Sequence, residues 1–287
     1  MKISSEAVES YHRDGFFSPV DAFSLAEAAE LRTKLEDFEA TLPAGPVARK
    51  DRRKLHVRLP WMRELVQDPR ILDVIEQLIG PDILVYNSTF FIKEKNSDAV
   101  TYWHQDSAYF GLSPHEHVTA WVAFSNASEL AGCMKFVTGS QARGPLTHVS
   151  MSGGNSLNNA AQGIDENFTG QPLASAPLQP GQFSLHHTNV IHASDPNLSN
   201  DRRIGCGISY VPTHVKKSGL LMTASLVRGA DRYQHFENEP DPRIISPQEA
   251  VAAHEMTYAR YRASYEEQIK MRASRDTTQR APGAIEP

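Results

Sequence analysis

At Gly80-Pro81 the hydrophobic pattern of the chain changes period, and this change restricts the fold more than any other feature of the sequence. Before it, apolar residues recur at helical spacing. Ser24-x-x-Glu27 is a capping box, and Leu31, Leu35, Phe38 and Leu42 follow it on one helical face. A further helix is predicted with Asp68 as N-cap and Pro69 at its first position, running through Ile71, Leu72, Ile75 and Leu78 until Gly80-Pro81 stops it. Beyond that point short β-rich runs alternate with turn residues: Ile83–Glu94, Thr119–Ser125, Cys133–Val137, Gln182–His187 and Arg203–Val211. Residues 1–80 are therefore expected to be helical. The runs that follow predict a mainly β fold with flanking helices, an antiparallel sandwich or jelly roll over about residues 83–215.

A C-terminal extension over 216–275 carries a last helix, opened by Ser246-Pro247-Gln248-Glu249 and bearing Val251, Met256, Tyr258 and Tyr261. Residues 276–287 read as a disordered tail. With no repeat and no linker, 1–275 is expected to form one domain. Within it, Ser150–Pro172 is rich in Ser, Gly and Asn and has no period. Gly153, Gly154, Gly163 and Gly170, with Asn155, Asn158 and Asn159, leave little apolar surface to bury, so this loop is read as a mobile lid over substrate.

Composition enters as a set of exclusions. A net charge of −5 gives no reason to expect nucleic acid or an acidic membrane as partner. No apolar run approaches the roughly 20 residues that span a bilayer, and the first residues lack a signal-peptide core. Cys133 and Cys206 lie in apolar runs and read as buried free thiols, which points to a cytoplasmic setting. The expected partner is a small molecule; no segment points to a particular oligomeric state.

The chemistry is concentrated in Trp103-His104-Gln105-Asp106. In an extended chain residues i and i+2 share a face, so His104 and Asp106 present an imidazole and a carboxylate to one metal ion. A distant histidine would complete a two-histidine, one-carboxylate triad, which leaves three positions on Fe(II) for a bidentate 2-oxo acid and O₂. His186, His187 and His192 compete for that place. His192 is favoured, because it follows Val190-Ile191 and precedes the turn-rich Ala193-Ser194-Asp195-Pro196-Asn197. Eleven residues on, Arg203 opens a run in which Arg203, Gly205, Gly207 and Ser209 share one face and Ile204, Cys206, Ile208 and Tyr210 the other. That parity favours Arg203 over Arg202 as a guanidinium that grips a carboxylate.

The segments WHQDSAYFGLSPHEHVTAWVAF, AGCMKFVTGSQARG and LHHTNVIHASDPNLSNDRR, with YHRDGFF and ISYVPTHV, resemble the phytanoyl-CoA dioxygenase family, especially its bacterial small-molecule oxygenases, over most of residues 10–215. The resemblance implies a double-stranded β-helix (cupin-like) fold, Fe(II), and 2-oxoglutarate and O₂ as cosubstrates. It implies His104, Asp106 and His192 as metal ligands and Arg203 as partner of the cosubstrate's C5 carboxylate, with Ser194 and Trp121 lining the cosubstrate pocket. Related halogenases have Ala or Gly where this chain has Asp106, so the expected outcome is hydroxylation of an unactivated C–H, with release of succinate and CO₂.

Blander readings stand beside these. Trp121 serves equally as core. His187 is expected in a pocket-lining or core role, and His115 and His117, next to Pro114, in a solvated turn. Arg143 and His148 are divided between substrate contact and structure, and Lys216-Lys217 reads as a solvated edge. Two other functions compete: a cupin-like metal enzyme that needs no 2-oxo acid, and a catalytically silent jelly-roll ligand-binding protein. Arg203 and Ser194, suited to a separate dicarboxylate, argue against the first; the intact triad argues against the second. The substrate pocket is expected from the 150–172 loop, the strand 83–94 and residues beyond Val211, none of which carries a motif that identifies a substrate.

Overall fold

Helix α1 (Ser5–Asp14) starts where the Ser4 hydroxyl accepts from the Ala7 amide, and it ends at Gly15, whose φ of 82° lets its N–H close on the Tyr11 carbonyl. The chain was described by a computed structural model covering residues 1–45, 47–151, 155–157 and 162–279, with side chains to 268. Immediately after α1 the expected helical stretch 1–80 is broken by a strand, β1 (Phe16–Asp21). Its partner is 160 residues away in sequence, so no local period announces it. Pro19 is tolerated because β1 is the edge of its sheet.

Helices α2 (Leu25–Ala40), α3 (Pro60–Val66) and α4 (Pro69–Ile79) follow, with two short 3-10 turns between α2 and α3. Ser24 and Glu27 form the reciprocal capping box, and Asp68 caps α4. Strands β2 (Ile83–Lys93) and β3 (Thr101–His104) lead to a single helical turn, α5 (Ser107–Phe110). Then come β4 (Leu112–Ser113), β5 (Val118–Ala123), β6 (Met134–Val137), β7 (Val149–Ser150), β8 (Gln162–Gly163) and β9 (Leu173–Ala176). The last strands are β10 (Gln182–His187), β11 (His192–Ser194), β12 (Arg203–Pro212), β13 (Lys216–Lys217), β14 (Thr223–Arg228) and β15 (Glu237–Asn238). Helix α6 (Pro247–Gln279) runs past the expected limit near Arg275; residues 280–287 of the anticipated tail lie outside the described residues.

Seven strands form one sheet in the order β1-β10-β5-β12-β2-β14-β15, and four form a second in the order β3-β11-β6-β9. Every pairing is antiparallel except β14 with β15. The outer face of the large sheet carries Val118, Ala120, Val122, Ile204, Cys206, Ile208 and Tyr210, packed against Leu35 and Phe38 of α2 and Ile71 and Ile75 of α4. Each such buried aliphatic side chain contributes about 1.5–3 kcal/mol. Between the sheets, Trp121 and Ala123 meet Met134, Phe136 and Ala176, and Phe16 stacks on Phe136 with ring centroids 4.4 Å apart. These two facing sheets, braced by helices, make a double-stranded β-helix.

The two ends of the chain are joined by a buried polar cluster. Lys54 Nζ lies 2.5 Å from Glu239 Oε1, and His56 Nε2 lies 3.0 Å from Glu239 Oε2. Thr223 and Ser225 each donate to the same carboxylate at 2.7 Å. All buried oxygens of Glu239 are thereby satisfied, which is the condition for tolerating a buried charge. Among the described residues no helix is long and apolar enough to cross a membrane. Cys133 and Cys206 are both buried and free.

The loop Ser150–Pro172 is more anchored than its composition suggests. β7 pairs with β8, Val100 exchanges backbone hydrogen bonds with Asn155 and Leu157, and Ile164 N–H donates to the Trp103 carbonyl at 2.7 Å. Ile164 and Phe168 are buried with Val137 and Ile191, and Trp103 packs on them. Two apolar residues at the loop's far end thus supply the anchorage that its Gly and Asn content hides. Residues 152–154 and 158–161, where much of the lid was expected, lie outside the described residues.

Candidate metal centre

The small sheet brings two histidines face to face. His192 on β11 is the direct cross-strand partner of His104 on β3, and their ring centroids are 4.0 Å apart. Asp106 completes the group: one ligand atom from each of the three residues lies within 4.8 Å of the others. The route differs from the strand periodicity assumed for His-x-Asp. His104 is the last residue of β3, and Asp106, with φ −63° and ψ −35°, already has helical geometry at the start of α5. The turn swings the carboxylate back beneath the imidazole.

Hydrogen bonds fix both rings. His104 Nδ1 lies 2.8 Å from the Tyr102 carbonyl and His192 Nδ1 lies 3.1 Å from the Val190 carbonyl. A carbonyl only accepts, so both Nδ1 atoms carry a proton, and Nε2 is the atom each ring can offer to a metal. Those Nε2 atoms lie 3.7 and 3.8 Å from Asp106 Oδ1, too far for a hydrogen bond and close enough for one ion to bind all three. Asp106 Oδ2 is separately engaged by the Thr119 hydroxyl at 2.9 Å and His186 Nε2 at 3.2 Å. Burial alone would raise the Asp106 pKa, but the surrounding imidazoles outweigh it and hold the carboxyl well below its usual range. Burial, with His104 and His186 nearby, pushes His192 well below the ordinary histidine value, so it is a neutral donor. Two imidazoles and one carboxylate are the donor set of a non-haem Fe(II) site.

The residue between the ligands is locked. Gln105 is fully buried; its side chain donates to the Gly144 and Asn189 carbonyls and accepts from the Leu146 amide. Its own N–H donates to His148 Nε2 at 2.9 Å. His148 is therefore a brace for the metal-site backbone, and Arg143 pairs with Glu166 at 2.9 Å. His117, expected in a solvated turn, is buried and bridges Thr188 and Thr119. It sits behind the metal site because β5 begins there, one residue earlier than the apolar run suggests. His187 lies outside the metal-binding group, where its Nδ1 accepts from the Asn189 amide.

A cavity next to the triad is lined by His104, Asp106, His192, Trp121, Ser194 and Arg203. Arg203 is 2% exposed. One guanidinium nitrogen donates to the Gly132 carbonyl at 2.6 Å and the group lies 5.3 Å from the centroid of Trp121, while its Nε is buried and has no hydrogen-bond partner among the described residues. Trp121 can lie there only because residue 205 is glycine: a Cβ at Gly205 would fall 1.9 Å from the indole. Lys93, directly opposite Arg203 on β2, donates to Ser194 Oγ at 2.8 Å and to the Asp195 carbonyl. The site thus sets a buried guanidinium beside a buried amine, with only neutral oxygens as their hydrogen-bond partners, an arrangement that fits an incoming carboxylate. Arg202, by contrast, points outward to Glu39 and Glu94.

Lys93, Thr119 and His186 are absent from the sequence-based site. Lys93 carried little signal, since it ends β2 next to Glu94 and Lys95 and reads as a solvated strand end. A second cleft, open to solvent, lies beside His104 and Asp106. It is lined by Asn87 and Phe91 of β2, Leu157 of the loop and Tyr261 and Tyr265 of α6, from the three segments expected to build the substrate pocket, and also by Arg53 and Tyr109.

Residues 11–205 match the model of a family described as Phytanoyl-CoA dioxygenase (PhyH). The chain is 28% identical over 160 residues to a probable alpha-ketoglutarate-dependent hypophosphite dioxygenase of Stutzerimonas stutzeri, covering 54% of each chain. It is 25% identical over 224 residues to the ectoine dioxygenase of Bordetella parapertussis, covering 69% of this chain and 71% of that one. The match spans about half the length of the first relative and more than two thirds of the second. Among solved structures, the apo form of the non-heme monooxygenase ThoJ aligns with a TM-score of 0.78 at 28% identity, over 92% of this chain and 99% of that one.

Proposed function

The chain belongs to the phytanoyl-CoA dioxygenase family, and on that footing we propose that it is an Fe(II)- and 2-oxoglutarate-dependent oxygenase that hydroxylates an unactivated C–H of a small metabolite. The observation that carries this reading is the pairing of two unlike sites in one cavity. His104, Asp106 and His192 turn three donor atoms toward a common point, and Arg203 offers a buried Nε, unpartnered among the described residues, on the same cavity wall. A metal enzyme without a 2-oxo acid has no use for the second.

When bound, iron and 2-oxoglutarate supply the oxidation: substrate C–H, 2-oxoglutarate and O₂ become substrate C–OH, succinate and CO₂. The protein's part is to hold and to exclude. His104, Asp106 and His192 hold the metal, with their lone pairs aimed by the Tyr102 and Val190 carbonyls. Thr119 and His186 occupy Asp106 Oδ2 and reserve Oδ1 for the ion. Arg203, with Ser194, grips the far carboxylate of the cosubstrate, and Lys93 fixes Ser194 from behind. Phe91, Trp121 and Phe136 keep water away from the pocket, which strengthens each of these interactions. Asp106 fills the position that a halogenase leaves to halide, which favours hydroxylation.

The test is anaerobic loading with Fe(II), then 2-oxoglutarate, ascorbate and O₂, with succinate as readout. Succinate above the level of the His104→Ala protein supports the oxygenase reading. Stoichiometric Fe(II) binding without succinate would favour a cupin-like metal enzyme, and failure to bind Fe(II) a silent binding protein.

A further inference from the structure

The cleft beyond His104 and Asp106 points to a class of substrate, an inference that rests on the oxygenase reading above. Its walls are aromatic, from Phe91, Tyr109, Tyr261 and Tyr265. Thr89, Thr119 and Ser209 also line it, and two further polar groups, Asn87 and Arg53, are placed to meet a ligand. Asn87 is 3% exposed; its amide nitrogen donates to Thr89 at 2.9 Å, while its Oδ1 is buried and has no hydrogen-bond partner among the described residues. Asn87 and Phe91 lie on the same face of β2, and both line the cleft. A buried acceptor of this kind is relieved by a donor on a ligand.

The second group is Arg53, which lines both this cleft and the outer hollow beside Arg49 and Arg262. Its backbone is pinned from three sides. Arg53 bridges to Thr89, its carbonyl accepts from His254 Nε2 at 2.8 Å, and the next residue is the buried Lys54 held by Glu239. The side chain itself reaches Tyr261. It donates to the phenol oxygen at 3.3 Å, and the guanidinium lies 5.5 Å from the ring centroid. Among the described residues no carboxylate pairs with Arg53; the nearby Glu266 is taken by Arg262 at 3.1 Å.

We propose that the substrate is an organic acid with an apolar body, whose carboxylate binds Arg53 and whose hydroxyl or N–H donates to Asn87 Oδ1. The body lies along the aromatic walls, and its inner end lies beside His104 and Asp106. Arg53 is a specificity-determining residue: it fixes the end of the molecule that does not react, which settles which carbon is presented. A cationic substrate would meet Arg53 without compensation.

The test follows the visible charge-transfer band that Fe(II) and 2-oxoglutarate give when both are bound, under anaerobic conditions. Phenylacetate, hydrocinnamate and naphthylacetate are titrated, each against its methyl ester. The acids should shift the band and the esters should not. Arg53→Gln should weaken acid binding about ten- to a hundredfold, and Arg53→Lys should retain part of it. A band that forms but that no acid perturbs, or that acids and esters perturb alike, overturns the proposal, as does wild-type acid affinity in Arg53→Gln. A band that never forms defeats the oxygenase reading itself, and the proposal with it.

Discussion

Lys93 and Arg203 stand directly opposite each other on neighbouring strands, both buried, with no carboxylate among their hydrogen-bond partners. Like charges so placed oppose each other. Burial, and then Arg203, pull the Lys93 pKa down to about 6. An arriving carboxylate favours the charged amine, so binding takes up a proton. Above about pH 6 that proton must come from solvent, and 2-oxoglutarate affinity is expected to fall with rising pH, by about tenfold per pH unit at most. Calorimetry in buffers of different ionisation enthalpy measures the uptake directly. An affinity that is flat from about pH 6 to 8 would contradict it.

Arg203→Ala should raise the apparent KM for 2-oxoglutarate about ten- to a hundredfold, the worth of a hydrogen-bonded charge, while iron binding persists. Arg202→Ala should leave that KM alone and lower stability instead, because Arg202 is half-buried and joins Glu36, Glu39 and Glu94. Steady-state kinetics and thermal unfolding separate the two.

His104→Ala and His192→Ala should each abolish stoichiometric Fe(II) binding in an anaerobic titration. His186→Ala removes only the donor to Asp106 Oδ2 and should weaken binding without abolishing it. His187→Ala should bind iron as the wild type does. Full iron binding by His192→Ala would move the second imidazole to His186.

The amides of Leu157 and Ile164 should be protected from hydrogen exchange before any substrate is added, since both donate to backbone carbonyls. Ile164→Ala should cost about 2–5 kcal/mol, the usual penalty for truncating a buried aliphatic. Rapid exchange at both amides would restore the picture of a free lid.

With its substrate and an excess of bromide, the wild-type enzyme should give an oxygenated product free of bromine. Asp106→Gly should lose most hydroxylation, because it removes the only carboxylate of the triad. Mass spectrometry decides: a bromine isotope pair in the wild-type product removes Asp106 from the metal.

The helices that open on Ser24 and Asp68 were legible because caps and apolar period are local signals, and so was the two-faced run from Arg203 to Tyr210. What stayed hidden depends on partners distant in sequence. β1 and β11 are short strands whose identity comes from β10, β3 and β6. His104 and Asp106 were legible as a pair, yet the turn that joins them is made by Gln105 and His148, residues with no motif. Lys93 acquires its meaning only opposite Arg203. His117 looked solvated because Pro114 beside it marks a turn, and only the pairing of β5 with β10 and β12 shows that the chain has already entered the sheet.

Tyr261 and Tyr265 reach the cleft from a helix that begins at Pro247, well past residue 205, where the family match ends. The triad His104, Asp106 and His192 lies inside that match. The opening is a composite: Arg53 and Asn87 come from inside the matched stretch and the two tyrosines from beyond it. A substitution on the last helix can therefore reshape the mouth of the cleft without touching the residues that converge at its floor.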